Sequence, residues 1–230
     1  VYQDLFGECI YVGKGIYDVR SFAACMDGRI SENTLLSHDL FEGLHVRAAL
    51  ASDIVLLEDY PPTYLAYAKR LHRWIRGDWQ LLSCLQLAPP KLCAGEGRRS
   101  LSAIDYWKIA DNLFRSLLMP SLLALLICGW FLLPGSALVW TAAVLITPVV
   151  PLFSGVSWFL IGRIRSRSTV LRQASFGMQG LRWLLTLTFL PYEAFIALDA
   201  IVRTVIRMTV THRNLLEWTT AAHAGRLFGN

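Results

Sequence analysis

Arg70-Leu71-His72-Arg73-Trp74-Ile75-Arg76-Gly77-Asp78-Trp79-Gln80 separates a soluble-looking half of the chain from a membrane-like half. It packs bases and two tryptophans into one helical run. Positions three and four apart are neighbours on a helix, so Arg70, Arg73 and Trp74 gather on one side. Guanidinium forks suit the flat, charged oxygens of phosphate, and an indole face suits a sugar ring or a base. A second reading stands beside this one: an interfacial helix whose arginines meet lipid phosphates and whose tryptophans sit at headgroup depth.

Composition favours a membrane setting for either reading. The 230 residues are 54% hydrophobic, only 17% are charged, and the net charge is +5; an average soluble domain carries roughly 25% charged residues. Mean hydropathy is +0.43. An integral membrane protein with a basic cytoplasmic face is expected. Val1 opens the chain without a leader pattern, so we expect it to begin inside a longer protein. Cys9, Cys25, Cys84, Cys93 and Cys128 form no C-x-x-C pair and are odd in number, which points to reduced thiols rather than a disulfide framework or zinc site.

Upstream of the central stretch, Ile10-Tyr11-Val12 reads as a short strand broken by Gly13-Lys14-Gly15. That glycine-lysine pair is not a phosphate-binding loop, because the spacing from Gly7 is wrong and Gly15 stands where Ser or Thr is required. Asp18 to Met26 suits a short helix packed through Val19, Phe22 and Ala23. Asp39, followed by Leu40, Phe41, Leu44 and, three residues on, Glu42, fits a helix cap with a capping-box partner. A carboxylate there, beside His38, also suits a base that accepts a proton from an attacking hydroxyl. Both readings of Asp39 stay open on the residues alone. Ser52 to Leu57 reads as a strand stopped by Pro61-Pro62, and Thr63 is placed to cap the helix that carries the central stretch. The alternation implies an α/β domain.

Downstream, Ile104, Trp107, Ile109 and Phe114 suggest an interfacial helix. From Ser116 to Gly162 no charged residue occurs, which suits two spans of about 20 residues turned at Leu133-Pro134-Gly135-Ser136. Pro148 and Pro151 should kink the second span. Basic residues flank both outer ends (Arg98, Arg99, Lys108 and Arg115; then Arg163, Arg165, Arg167 and Arg172), which places both on the cytoplasmic side. Across 181–210, Asp199, Arg203 and Arg207 recur four apart in an apolar background, as in an amphipathic helix lying on the membrane.

Three blocks then carry a resemblance: Ser37-His38-Asp39-Leu40-Phe41-Glu42-Gly43, His72-Arg73-Trp74-Ile75-Arg76-Gly77-Asp78-Trp79-Gln80, and Ala197-Leu198-Asp199-Ala200-Ile201-Val202-Arg203. Together they resemble the glycosyltransferase part of bacterial cyclic β-1,2-glucan synthases, over nearly the whole chain. More distantly, the layout is similar to processive membrane synthases such as cellulose synthase, with an acidic motif ending in a base aspartate followed by Q-x-x-R-W.

The resemblance implies an α/β plus transmembrane α fold: the C-terminal part of a GT-A-like domain over 1–100, an interfacial helix over 101–112, and transmembrane helices over 113–133 and 137–161. A cytoplasmic or interfacial helical segment over 162–230 would follow. It implies an inverting glucosyltransferase of the bacterial inner membrane, multi-pass, with its catalytic side cytoplasmic. UDP-glucose, a growing β-1,2-glucan and membrane lipid would be its partners, and nucleic acid would not. Asp39 matches the base; Arg73 and Trp74 match the pair that holds the donor diphosphate and floors the acceptor site. Arg70 stands where the distant family has glutamine. His38, His72 and Trp79 are further candidates for contact with substrate, Trp79 by stacking on the glucan. The resemblance also implies Mg2+ or Mn2+, with ligands expected upstream of Val1, so this segment alone is expected to be inactive. Competing classes are a synthase of another linkage and a non-catalytic membrane module such as a transporter. The uncharged Ser116–Gly162 run weighs against a transporter.

Overall fold

Thr63 stands extended (φ −127°, ψ 154°), and its hydroxyl accepts from the Ala66 amide at 3.3 Å. That cap starts the central helix where the sequence places it. The structure is a computed structural model; it describes residues 2–30, 33–36, 39–57, 60–85, 101–149 and 176–217, without the side chains of 176–179. In chain order the helices are α1 (Tyr2–Phe6), α2 (Val19–Met26), α3 (Asp39–Val46), α4 (Tyr64–Gln80), α5 (Ala103–Phe131), α6 (Ala137–Ile146) and α7 (Phe176–Ile206). Short 3-10 turns follow α4 (Leu81–Leu85) and α6 (Thr147–Val149), and a π turn (Arg207–Thr211) ends α7.

No β-strand forms among the described residues. Cys9 and Ala48 make an isolated antiparallel bridge, and the expected strands at Ile10–Val12 and Ser52–Leu57 are irregular chain. A strand is stable only beside partners. Ile54, Val55, Leu56 and Leu57 have none and stand 55–96% exposed. The helical part of the expected fold is present, while the α/β part has no strand here to support it.

The chain divides into two compact units, Val1–Ser116 with Ile196–Asn230, and Leu117–Phe195. In the first, Leu35, Leu40, Phe41 and Leu44 pack with Leu81, Cys84, Leu101, Ile109 and Leu113. Phe41 is fully buried, a side chain whose burial contributes about 1.5–3 kcal/mol. Asp18 caps α2 by accepting from the Ser21 amide at 2.8 Å. Of the residues expected to pack α2, Val19 and Ala23 are exposed, and Met26 meets the core instead. Cys84 is buried and disulfide-bonded, contrary to the expectation of reduced thiols throughout; Cys9, Cys25 and Cys128 are free thiols.

α5 differs from the expected interfacial helix in which face it buries. Trp107 and Phe114 are exposed, whereas Asp105, Lys108, Ile109 and Leu113 are buried. Ser102 and Asp105 close a reciprocal capping box ahead of it: the Ser102 amide donates to Asp105 at 2.8 Å, and the Asp105 amide donates to the Ser102 hydroxyl at 3.4 Å. Lys108 can be buried because Glu8 meets its ammonium at 2.9 Å while also holding Arg47 at 3.3 Å. This bridge docks the N-terminal segment onto α5.

In the second unit the turn before α6 falls where expected, with Gly135 at φ +99° and Ser136 capping α6 through the Leu138 amide. A Cβ at Gly129 would lie 2.4 Å from the Trp140 Cβ, so only glycine lets α6 approach α5 there. Leu122, Val144 and Leu190 form the unit's core. α6 gives way to the 3-10 turn at Pro148; 150–161, the rest of the expected second span, lies outside the described residues, as do 86–100 and 162–175.

Two helical stretches, Ala103–Phe131 and Gly180–Thr211, are long and apolar enough to cross a bilayer. No break separates the expected interfacial piece at 101–112 from the expected span at 113–133, since both fall in α5. Likewise 181–210, expected at the interface, lies mostly in a continuous helix of 31 residues with Pro191 inside it.

Lys108→Met should destabilise the protein by about 3–5 kcal/mol, because it takes the buried ammonium away from the buried Glu8 carboxylate. Denaturant or thermal melting of the detergent-extracted protein would read this; a change below about 1 kcal/mol would mean that the bridge adds little.

Candidate functional site

Two stripes run along α4. Arg70, Trp74 and Asp78 fall four apart on one side with Arg73 beside them; His72, Arg76 and Gln80 fall four apart on the other. Positions two apart are about 200° around the helix, so the stripes face nearly opposite ways. The two sides have different work.

On the first side, the Arg70 guanidinium lies over the Trp74 ring, 4.4 Å from its centroid, a cation–π contact that presents charge and indole together. Arg73 is half-buried. Burial and the neighbouring Arg70 lower its pKa, and the Asp39 carboxylate pulls it back up, so Arg73 and Asp39 feel one another. Asp39 opens the first turn of α3 with Glu42, where the helix dipole favours negative charge.

What holds Asp39 is a glycine turn. Gly13 has φ +82°, and a Cβ there would meet the Asp39 carboxylate at 2.8–2.9 Å. At Gly43, on α3, a Cβ would lie 2.7 Å from the Tyr11 Cβ. The Tyr11–Gly15 segment therefore wraps the start of α3 through two close approaches that need glycine. The same proximity raises the Tyr11 pKa, through burial first and then through Glu42, Tyr17 and Asp39.

Asp78 completes this side and was not singled out by the sequence reading. Its carboxylate accepts from Asn112 Nδ2 on α5 at 3.1 Å. Burial pushes its pKa up to about 6; Asn112 and Arg115 oppose the shift, and Asp39 adds to it. Its place four residues after Trp74 was the available signal. Trp79 donates from its indole to the Ser116 hydroxyl at 2.9 Å and packs against the core, so its polar edge is already taken.

On the other side, burial holds the His72 pKa below its ordinary value, with Arg76 and Arg203 adding to the shift and Asp199 opposing it. The uncharged ring donates from Nε2 to Asp199 at 3.0 Å. Arg203 holds the same carboxylate at 2.8 Å, as the spacing four apart implied. Arg207 turns instead to the Asn214 carbonyl and Glu217. Arg76 donates to the carbonyls of Glu217, Leu215 and Asn214 at 2.6, 3.1 and 3.4 Å. His72 is thus committed to α7, away from Arg73. His38 lies outside the described residues.

Among the described residues no group of three or more His, Cys, Asp or Glu side chains could hold a metal ion. The described residues therefore do not fit a metal site.

Gly13→Ala should leave the fold near wild type and displace Asp39, since the clashing atoms end a movable side chain. Gly28→Ala is the control: Gly28 has φ +68° with open space around it, so it carries the backbone strain of about 1 kcal/mol without the clash. In the full-length protein, activity should fall at least tenfold further for Gly13→Ala than for Gly28→Ala. Equal losses would mean that Gly13 serves only its turn.

Asp78→Asn keeps an acceptor for Asn112 and removes the charge. A carboxyl with a raised folded pKa binds its proton more tightly when folded, so stability falls as pH rises from about 4 through about 6. The variant should be more stable than wild type above pH 6, by up to about 3 kcal/mol, and equal to it below about pH 4. Melting curves across that range would test this, and parallel curves would refute it.

No protein-family model matches the chain. It is 38% identical over 232 aligned residues to cyclic β-(1,2)-glucan synthase NdvB of Rhizobium meliloti (strain 1021). The alignment takes in 96% of this chain and spans 8% of that protein's length. Over nearly its whole length the chain is similar to one segment of a cyclic β-(1,2)-glucan synthase, in keeping with the resemblance read from the sequence.

Proposed function

We propose that this segment forms the acceptor-side wall of a membrane-bound inverting glucosyltransferase that extends a β-1,2-glucan from UDP-glucose. The observation that carries the reading is the Asp39 carboxylate, lying against the Gly13 turn and within electrostatic reach of Arg73, on the side of α4 that carries the Arg70–Trp74 platform. The relationship to a named glucan synthase supports the product class.

In this reaction the 2-hydroxyl oxygen of the terminal glucan sugar bonds to C1 of the donor glucose. The bond from C1 to the diphosphate oxygen breaks, with inversion. The hydroxyl proton passes to the Asp39 carboxylate. Negative charge grows on the leaving diphosphate, and Arg73 offers it a forked, permanently charged donor. Trp74, braced by Arg70, offers a ring face to the acceptor sugar. Mg2+ or Mn2+ would be held by residues outside those described and would supply further charge on the diphosphate. The basic flanks of the uncharged run support a cytoplasmic position for this site at the bacterial inner membrane.

Asp39→Asn in the full-length synthase tests the base. Asn starts helices about as well as Asp, so folding and membrane insertion should survive. Turnover should fall by about two to four orders of magnitude, with little change in UDP-glucose binding. Arg73→Lys should instead weaken donor affinity and rate together, because it keeps the charge and loses the fork. A normally inserted Asp39→Asn enzyme with near wild-type turnover would remove Asp39 from the chemistry.

A further inference from the structure

Gln80 is buried, and its carboxamide spends both ends on main chain from distant parts of the sequence. Nε2 donates to the Leu215 carbonyl at 3.1 Å, and Oε1 accepts from the Leu36 amide at 2.6 Å. Leu36 stands three residues before Asp39. Leu215 belongs to the loop after α7 whose carbonyls at 214, 215 and 217 also surround Arg76. Arg207 binds the same loop from its own side, donating at 2.7 Å both to the Asn214 carbonyl and to Glu217. The left-handed conformations of His212 and Asn214 turn the chain into it.

We propose that Gln80 is a positioning residue for Asp39: it ties the segment leading into α3 to the Asn214–Glu217 loop across the back of α4. The proposal rests on Asp39 being the acceptor base, and it adds a route by which α7 acts on that base. A carboxamide suits the place because one end must accept and the other must donate. Neither a carboxylate nor a thioether of similar length does both. Movement of the loop is passed through one rigid amide plane to the chain beside Asp39, and a base misplaced by about 1 Å can cost on the order of a hundredfold in rate.

The two arms can be cut separately. Gln80→Glu keeps an acceptor for the Leu36 amide and loses the donor to Leu215. Gln80→Met loses both. Each variant is made in the full-length synthase in membranes, with thermal midpoint and membrane yield as folding controls. Readouts are kcat and KM for UDP-glucose, and amide hydrogen exchange in peptides covering 33–36 and 214–217. For Gln80→Glu we expect faster exchange at 214–217 with 33–36 unchanged, a kcat roughly tenfold lower, and a donor KM within about twofold of wild type. For Gln80→Met we expect both peptides to exchange faster and kcat to fall on the order of a hundredfold. Wild-type kcat in either folded variant overturns the proposal. So does a loss of kcat that only follows loss of folded protein, or one accompanied by an equal rise in donor KM. Asp39→Asn in the same preparations separates the two readings: if it is inactive while the Gln80 variants are fully active, the positioning role alone fails. If Asp39→Asn is active, the base reading fails whatever Gln80 does.

Discussion

A buried guanidinium has to be surrounded by oxygen, and Arg76 finds that oxygen in the main chain of Asn214, Leu215 and Glu217. Removing a fixed charge from water costs several kcal/mol unless strong acceptors replace the solvent. These carbonyls lie in the loop beyond the π turn that ends α7. The π turn and the left-handed His212 after α7 redirect the chain, so that these carbonyls converge where Arg76 arrives. The rotation of α4 about its axis follows. With Arg76 and Gln80 committed to the loop and His72 to Asp199, Arg70, Arg73 and Trp74 are turned to the other side.

That other side keeps charges in tension rather than neutralised. Asp39 raises the cost of ionising Asp78, while Arg73 gains from Asp39 and loses to Arg70. Asn112 gives Asp78 a neutral donor, which orients the carboxylate without fixing its charge. A lysine there would pin Asp78 as an anion and weaken its response to Asp39.

Local rules made part of this legible. The Thr63 cap and the Pro134–Gly135 turn follow from residues within a few positions of each other, and both stand where the sequence puts them. The clustering of Arg70, Arg73 and Trp74 needed only helical spacing. The misreadings arose where a distant partner decides. Ile54–Leu57 is a continuous apolar run that suits a strand, but a strand needs a neighbour, and none of the described residues supplies one. On α5 an apolar stripe was sought, whereas the buried face contains Asp105 and Lys108, made tolerable by Ser102 and by Glu8 about a hundred residues earlier. His72 stands in the motif as a candidate for contact with substrate. Its partner, Asp199, lies 127 positions away. Gly13 was read as a strand breaker, and its contact with Asp39 could not be inferred from spacing.

α5 shows how one helix serves two environments. Through its first turns it offers Asp105, Lys108, Asn112 and Ser116 among Ile109 and Leu113, each polar group answered by a side chain from elsewhere in the first unit. After Arg115 the charges stop, and the side chains become those a bilayer accepts without partners. The change falls at the boundary of the first compact unit, at Ser116, whose hydroxyl takes the Trp79 indole proton.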